Sequence, residues 1–403
     1  MFNEIIDKKN IEKAYLNLIE QMESDNRLGR YAGWDNLKFS DLEISSAKLI
    51  KEVQSEIINF TSLSPAILVR IPKKNKPGKM REIYIYNLKD RVKAQAVYQI
   101  VEPYFDNYFS PWLFSYRKSH PSYFAGRSTV RHYQRYYKRD SLIVSDMADY
   151  SSYIQFDILI NKIKNMGFSE PMVKLLSLFV SPKAIRDGEI INPKFGLITG
   201  TPLIGLFNNL YLDEFDKYCG KNSDFYRRVG DDLIIMDKNK DRLKILYDYL
   251  ISETKKLGLM VSSSKTKYIT AAEKFDYLGY SFDSGLVSLN KGFLKHTLLR
   301  WSSQFNYYNF KSLARKKNYL RSVLSQSNNN LLVDFREIAK QKKLVNDGEQ
   351  IRALSENFFH ILTRYFFKTY TPKNRRLLET ELKNMHLSSV YKYFLNVIYG
   401  YGR

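Results

Sequence analysis

Three aspartates carry the most pointed chemistry in the sequence. Asp146 closes the apolar run SLIVSD, and Asp231 and Asp232 occupy the turn of FYRRVGDDLIIMD. SLIVSD reads as a buried strand, and FYRRV and LIIMD around Gly-Asp-Asp read as a hairpin. A hairpin laid beside a strand end gathers carboxylates that are far apart in sequence, and these repel one another unless cations neutralise them. Mg²⁺ takes oxygen ligands and commonly bridges carboxylates and substrate phosphates. Two such ions, roughly 3.5–4 Å apart, activate an attacking hydroxyl and stabilise a leaving oxygen in phosphoryl transfer. An isolated Asp-Asp pair is more often a polar turn; the flanking apolar strands raise the catalytic reading. A second concentration of charge, Lys73, Lys74, Lys76, Lys79 and Arg81, lies between AILVRI and REIYIY. These side chains suit a triphosphate, with arginine offering bidentate geometry, though alone they also fit a solvated hairpin tip.

The elements that must position these residues can be read from pattern. Residues 11–24 and 42–60 are amphipathic helices, 66–71 and 81–86 strands, and Leu88–Phe105 and 121–138 helices. Residues 141–146 form a strand, with helices near 153–165 and 170–181. GTPLIGLFNNLYLDEFDKY is expected to be one long buried helix opening at Thr201 or Pro202. After the Asp231 hairpin come a helix at 240–257 and the strands KYIT and FDYLGYSF. The mixture predicts an α+β core.

The 403 residues include 64 Lys+Arg and 42 Asp+Glu, a net charge of +22, and 44% are hydrophobic, enough for a sizeable core. A field of that size favours a polyanion, most often nucleic acid. With 31 Tyr, 25 Phe and 3 Trp, rings are available for base stacking as well as for the core. The single cysteine, Cys219, excludes a disulfide scaffold and any Cys-rich metal site. MFNEIIDKKN shows no secretory pattern and no run approaches a membrane span, so a cytoplasmic protein with no membrane partner is expected. The charge is uneven: Ser284–Arg403 holds 21 Lys+Arg against 7 Asp+Glu. There Trp301, Phe305 and Tyr308 keep helical spacing, and Lys311, Arg315, Lys316, Lys317 and Arg321 follow. SQSNNN at 325–330 reads as a turn. A basic helical segment in contact with nucleic acid is the expectation, against the alternative of a solvated face.

In their order these segments resemble a reverse transcriptase of the bacterial, group II intron and retron-related kind. IPKKNKPGKMREIYI and DRVKAQAVYQIVEPYFDNYF resemble its fingers, SDMADYSSYI its first palm motif and GLITGTPLIGLFNNLYL its glycine-containing helix. YRRVGDD resembles its double-aspartate motif, LMVSSSKTKYI its lysine motif and FDYLGYSF its primer-gripping hairpin. GWDNLKFSDLE resembles the segment before the fingers, so the resemblance runs from about Gly33 to Phe282. It implies a right-hand polymerase: an N-terminal helical extension over 1–62, fingers and palm over 63–282, and a basic helical thumb over 283–403. It implies Asp146 and Asp231 as ligands of two Mg²⁺ ions (Mn²⁺ as an alternative), Asp232 in support, and Lys265 as proton donor to pyrophosphate. Arg81 with Lys73 or Lys74 would contact the incoming dNTP, with Gly200, Asn209, Tyr150 and Ser151 beside it. The implied partners are an RNA template and DNA product, with a dedicated noncoding RNA, a second copy or a second protein left open.

The departures are informative. Thr199 stands where the family usually has glutamine, Ile204-Gly205 where it has Ser-Pro, and Val229 where it has an aromatic. Such drift fits divergent lineages linked to phage defence and abortive infection, which copy a noncoding RNA, prime from protein or extend without a template. The position that usually carries a ring blocking the ribose 2′-hydroxyl is Ser151; Tyr150 is favoured as the substitute gate, with an open pocket as the competing reading. Gly230-Asp231-Asp232, and Thr199-Gly200 with Asn208, also resemble an RNA-dependent RNA polymerase. A non-catalytic nucleic-acid-binding module on the same fold is the remaining alternative.

Overall fold

Segments with strong local signals form where their patterns place them. The computed structural model describes residues 1–24, 46–72, 80–307, 312, 314–318 and 344–384. They fall into two compact units: Met1–Ser122 with Ile143–Tyr268, and Tyr123–Leu142 with the described residues from Ile269 onward. This division follows neither the expected boundary at 62/63 nor that at 282/283.

In the first unit, α1 (Phe2–Ile5), α2 (Lys8–Ser24) and α3 (Ser46–Ile58) pack around α4 (Leu88–Tyr108). Lys93, fully buried on α4, pairs with Glu56 at 2.6 Å and Asp90 at 3.4 Å, which fastens α3 down. β1 (Ala66–Pro72) and β2 (Met80–Ile85) form the antiparallel pair expected from their alternation. Two strands not anticipated, β4 (Ala184–Arg186) and β5 (Glu189–Ile191), extend that sheet in the order β2-β1-β4-β5. Asp187 and Gly188 both have positive φ in the turn between them, the Asp-Gly signal of a tight hairpin. Arg70 holds Asp187 with two hydrogen bonds, of 2.7 and 3.0 Å.

The palm-like sheet has the order β6-β7-β3-β8, from β3 (Ser141–Asp146), β6 (Phe225–Val229), β7 (Asp232–Asp237) and β8 (Lys267–Thr270). Its centre is apolar: Leu142, Ile143, Leu233, Ile234 and Ile235 are fully buried. α6 (Phe156–Asn165), α7 (Glu170–Val180) and α10 (Lys240–Lys256) match their expected positions. The expected long helix is instead two, α8 (Leu203–Tyr211) and α9 (Asp213–Asn222), separated at Leu212. The break follows a tertiary demand, because Asp213 turns inward to accept the backbone N–H of Ser110 at 3.0 Å.

In the second unit, α5 (Ser122–Tyr136) lays Ala125, Gly126, Thr129, Val130 and Tyr133 inward. Tyr133 packs edge-on against Phe275 and Phe282 of a three-stranded antiparallel sheet, β9 (Phe275–Tyr277), β10 (Tyr280–Asp283) and β11 (Leu286–Leu289). FDYLGYSF is therefore a hairpin, as its resemblance implied. α11 (Lys291–Tyr307) buries Trp301 against Phe358 of the helix Gly348–Phe367, so that ring is core. Lys316, expected to face nucleic acid, is also interior: only 4% exposed, it donates to the Tyr365 carbonyl at 2.5 Å. Tyr308, Lys311, Arg321 and the turn at 325–330 lie outside the described residues.

Candidate active site

Asp146 reaches the site because five residues of apolar-rich strand stop there and the backbone is taken over by other partners. Its carbonyl accepts the Ser262 N–H at 2.9 Å, and Ser145 shares a 2.9 Å hydroxyl contact with Thr266. These bonds dock the Ser262–Thr266 turn at the strand end and bring Lys265 over it. Lys265 Nζ donates to Asp146 Oδ2 at 2.6 Å.

Asp231 and Asp232 come from the β6–β7 hairpin. Val229 pairs with Asp232, leaving Gly230 and Asp231 as a two-residue loop. Gly230 has φ +65°, a conformation this tight turn requires and that glycine adopts without strain. The loop is tied to β3 by a backbone bond, Met147 N–H to Asp231 O, of 3.2 Å. The three carboxylates sense one another. Burial first, then the charges of Asp231 and Asp146, push the Asp232 carboxyl up to about 6. Asp231 is raised by burial and by Asp146. Burial opposes protonation of Lys265, but its bond to Asp146 and the charges of Asp232 and Asp231 outweigh this and raise it.

Three carboxylates, two of them raised by burial and by neighbouring negative charge, with a lysine ammonium on the third, form a hard-oxygen set suited to a divalent cation. Among the described residues no group of three His, Cys, Asp or Glu side chains is gathered closely enough to hold an ion as it stands. The chemistry of the donors fits such an ion, and Lys265 supplies positive charge at the same place. Beside the loop lies a cleft of about 660 Å³, whose lining includes Tyr98, Phe114, Tyr116, Lys118, Asp231 and Asp232.

The helix beneath the loop explains the glycines. Gly200 has φ +125°, and a Cβ there would stand 2.5 Å from the Tyr84 carbonyl, so only glycine lets the entry to α8 meet β2. At Gly205 a Cβ would lie 2.6 Å from the Tyr116 ring, giving the Ile204-Gly205 departure a steric reason: the ring rests on bare helix backbone.

The remaining expected residues divide. Tyr150 and Ser151 open a 3₁₀ turn, Tyr150–Tyr153. Tyr150 is buried and spends its hydroxyl on the Asn208 carbonyl at 2.5 Å, so its ring is held in the interior rather than presented to a sugar. Ser151 Oγ donates to Asn208 Oδ1 at 3.2 Å. Asn209, expected beside the substrate, is fully buried: it donates to the Ser115 carbonyl at 2.7 Å and accepts the Ser115 hydroxyl at 2.9 Å. Neighbouring residues on a helix point about 100° apart, and the side chain of Asn208 turns instead to Ser151. Arg81 lies in β2 opposite Ile71, while Lys73 and Lys74 are outside the described residues.

One residue at the site was not anticipated. Arg228 is completely buried and pairs with the equally buried Asp216 through Nε–Oδ1 and Nη2–Oδ2 contacts of 2.7 and 2.6 Å. Its Nη1 donates to the Gly230 carbonyl at 2.8 Å, gripping the Gly230-Asp231 loop from behind. The signal in the sequence was a pair of adjacent arginines, Arg227 and Arg228, on one strand, where alternation turns one of the two inward and a buried arginine needs a partner.

Comparisons with known proteins follow the same lines. A family model described as reverse transcriptase (RNA-dependent DNA polymerase) matches residues 71–282, just over half of the chain. Among solved structures, a C-terminally truncated apo telomerase of Candida tropicalis is 17% identical, with 63% of this chain and 61% of that one covered and a TM-score of 0.44. Thus the chain spans about three fifths of that structure's length. The longer apo telomerase of Candida tropicalis is 14% identical over 90% of this chain and 71% of that one, with a TM-score of 0.48. Telomerase of Candida albicans in complex with a fragment of telomeric RNA is 10% identical over 87% and 70%, with a TM-score of 0.46. No curated protein matches the sequence.

Proposed function

The chain belongs to the reverse transcriptase family, RNA-dependent DNA polymerases of the nucleotidyltransferase class, and from that premise we propose that it extends a primer with deoxyribonucleotides on an RNA template. In this reading Asp146 and Asp231 hold two divalent ions, Mg²⁺ with Mn²⁺ as an alternative, and Asp232 supports them. When bound, the ions stabilise charge on the attacking and leaving oxygens. The chain's own residues bind and orient. Arg81, with Lys73 or Lys74, takes the triphosphate, and Gly200 allows close backbone approach beneath the nascent pair. Lys265, kept protonated by its acidic neighbours, gives its proton to departing pyrophosphate. Such catalysis is mostly positioning and charge stabilisation.

The observation that carries this reading is the Met147–Asp231 backbone bond, which fastens the end of β3 to the Gly230-Asp231 loop. The test is primer extension by Asp146→Asn and Asp231→Asn, with thermal unfolding to establish that each is folded. Both are expected to lose incorporation. Near-normal synthesis by either folded variant overturns the assignment and favours a binding module.

The departures at Thr199, Ile204-Gly205 and Val229 support a role in bacterial antiphage defence, in a reducing, cytoplasmic setting. The template there is a dedicated noncoding RNA, or synthesis is untemplated or protein-primed. Sequencing the RNA that co-purifies from the native host, and the polymer made from each nucleotide set, separates these. A second reading, use of ribonucleotides, is favoured by one observation: Tyr150 is committed to the interior and Ser151 offers only a hydroxyl. Equal incorporation of rNTPs and dNTPs by the wild type, shifted toward dNTPs by Ser151→Phe, supports it; strict dNTP use excludes it.

A further inference from the structure

The basic tail is prominent in the sequence, but among the described residues a regular cationic surface lies elsewhere. Between Ser122 and Arg139 there is no acidic residue and there are five basic ones. Arg127, Arg131 and Arg135 follow one another at four-residue intervals on α5, and Lys138 stands in the turn just past its end. At 100° per residue these four fall within one narrow arc, opposite the arc of Ala125, Gly126, Thr129, Val130 and Tyr133 that packs inward. Arg131, Arg135 and Lys138 are exposed, while Arg127 is half-buried with its Nε enclosed; the stripe is the outer side of a helix whose other face is fixed by Phe275, Phe282 and Tyr280. It runs about 16 Å, with successive arginines rising about 6 Å.

Two further observations give the stripe a chemistry. No acidic partner is present for any of the four cations among the described residues, in contrast to Arg139, which pairs with Asp140 at 2.7 Å. At the opposite end of the stripe Phe124 is 45% exposed and lies tilted against Tyr123, ring centroids 4.4 Å apart, and Arg127 overlies the Tyr123 ring. An exposed ring in line with cations that have no acidic partner matches a strand that alternates phosphates and bases.

We propose that the outer face of α5 is a binding track for a single nucleic-acid strand, with Arg127, Arg131, Arg135 and Lys138 on its phosphates and Phe124 stacked on a base. Arginine suits phosphate because its fork donates two parallel hydrogen bonds. The track lies outside the carboxylate site and does not depend on the catalytic assignment.

The test is equilibrium binding of a fluorescent 20-nucleotide oligouridylate to the full chain, without metal or nucleotides, across a salt series. Arg131→Gln/Arg135→Gln is expected to lower the slope of log K against log salt by about 1.4, two single-strand phosphate contacts at about 0.7 each. Arg131→Lys/Arg135→Lys is expected to keep the slope. Phe124→Ala is expected to weaken binding about fivefold or more with the slope unchanged, as loss of one stacked base would. Lys238→Gln/Lys240→Gln, two exposed cations of the other unit, serves as the control. An unchanged slope in the arginine-to-glutamine variant overturns the proposal, as does an equal fall in the control, which would mean bulk charge alone. Binding of polyglutamate in preference to the RNA would overturn it in favour of an acidic protein partner. Since incorporation is not measured, failure here is distinguishable from failure of the polymerase reading, which the Asp146 and Asp231 variants address.

Discussion

The Gly230-Asp231-Asp232 loop and the basic region beyond Ser284 were both marked by charge, yet charge means different things in them. In the loop each carboxylate is fixed by something local: the turn geometry of Gly230, the pairing of Val229 with Asp232, the bond from Met147. In the basic region only composition spoke, and composition does not say which way a side chain points. Lys316 turns inward to a carbonyl, and Arg375 is paired with Glu356 and Glu379. A motif constrains direction through its backbone; a charge excess does not. That contrast can be broken or sharpened by experiment.

The largest effect is expected at the loop itself. Asp231→Asn and Asp146→Asn should take nucleotide incorporation to background, because the charge cluster has no substitute nearby, while thermal unfolding stays within a few degrees of wild type. Indeed, relief of repulsion gives Asp231→Asn a reason to be slightly more stable. Primer extension and melting on the same preparation check both halves. If loss of activity tracked loss of fold, the loop would be a structural turn after all.

Next comes Arg228, where the loop depends on a charge buried behind it. Arg228→Ala leaves Asp216 without its counter-ion in the interior, and breaking a buried pair this way costs about 3–5 kcal/mol. Denaturant unfolding should show that loss. Replacing both partners, Arg228→Met with Asp216→Leu, should recover much of the stability, since apolar pairs often replace buried ion pairs without penalty. Incorporation should not recover, because the Gly230 carbonyl would still lack its donor. Recovery of both would reduce Arg228 to a packing residue.

How much was legible follows the same division. β3, the β6–β7 hairpin and α10 were readable because alternation, an Asp-containing turn and helical period each act within a few residues. The break at Leu212 was not, since no glycine or proline marks it and its cause is Ser110, a hundred residues away in sequence. The β4–β5 hairpin carried a readable Asp187-Gly188 turn, but strands of three residues fall below what alternation can reveal. At the site, the three aspartates were legible as a motif, whereas the burial of Asn209 depended on helix phase. The partners of Tyr150 and Arg228 depended on packing that no short pattern encodes.

A smaller effect is expected at Tyr150. Tyr150→Phe removes a buried hydroxyl that donates to the Asn208 carbonyl and should cost about 1 kcal/mol of stability, the usual worth of such a bond. Its ring remains, so the ratio of rNTP to dNTP use should not move. A changed ratio would place the hydroxyl at the sugar, a contact different from the ring gate expected from the sequence.

The smallest effect is the sharpest test of the comparison. Lys316 sits in the most basic run of the sequence, so a reading from charge alone predicts that removing it weakens nucleic-acid binding and lowers the salt slope. In the structure its ammonium is turned inward, hydrogen-bonded to Tyr365 O, and burial, followed by the charge of Lys368, lowers its pKa. A group so enclosed releases no counterion from a nucleic acid, because no phosphate can approach it. Lys316→Met keeps most of the aliphatic stem that packs there and removes only the charge and its bond, a change that buried sites often tolerate. The salt slope for oligouridylate binding should therefore match wild type within error, and stability should change by no more than about 1 kcal/mol, one lost hydrogen bond. Were the slope to fall by about 0.7, one phosphate contact, Lys316 would have to leave its interior position when nucleic acid binds. The basic region would then be governed by its composition after all, and its difference from the aspartate loop would vanish.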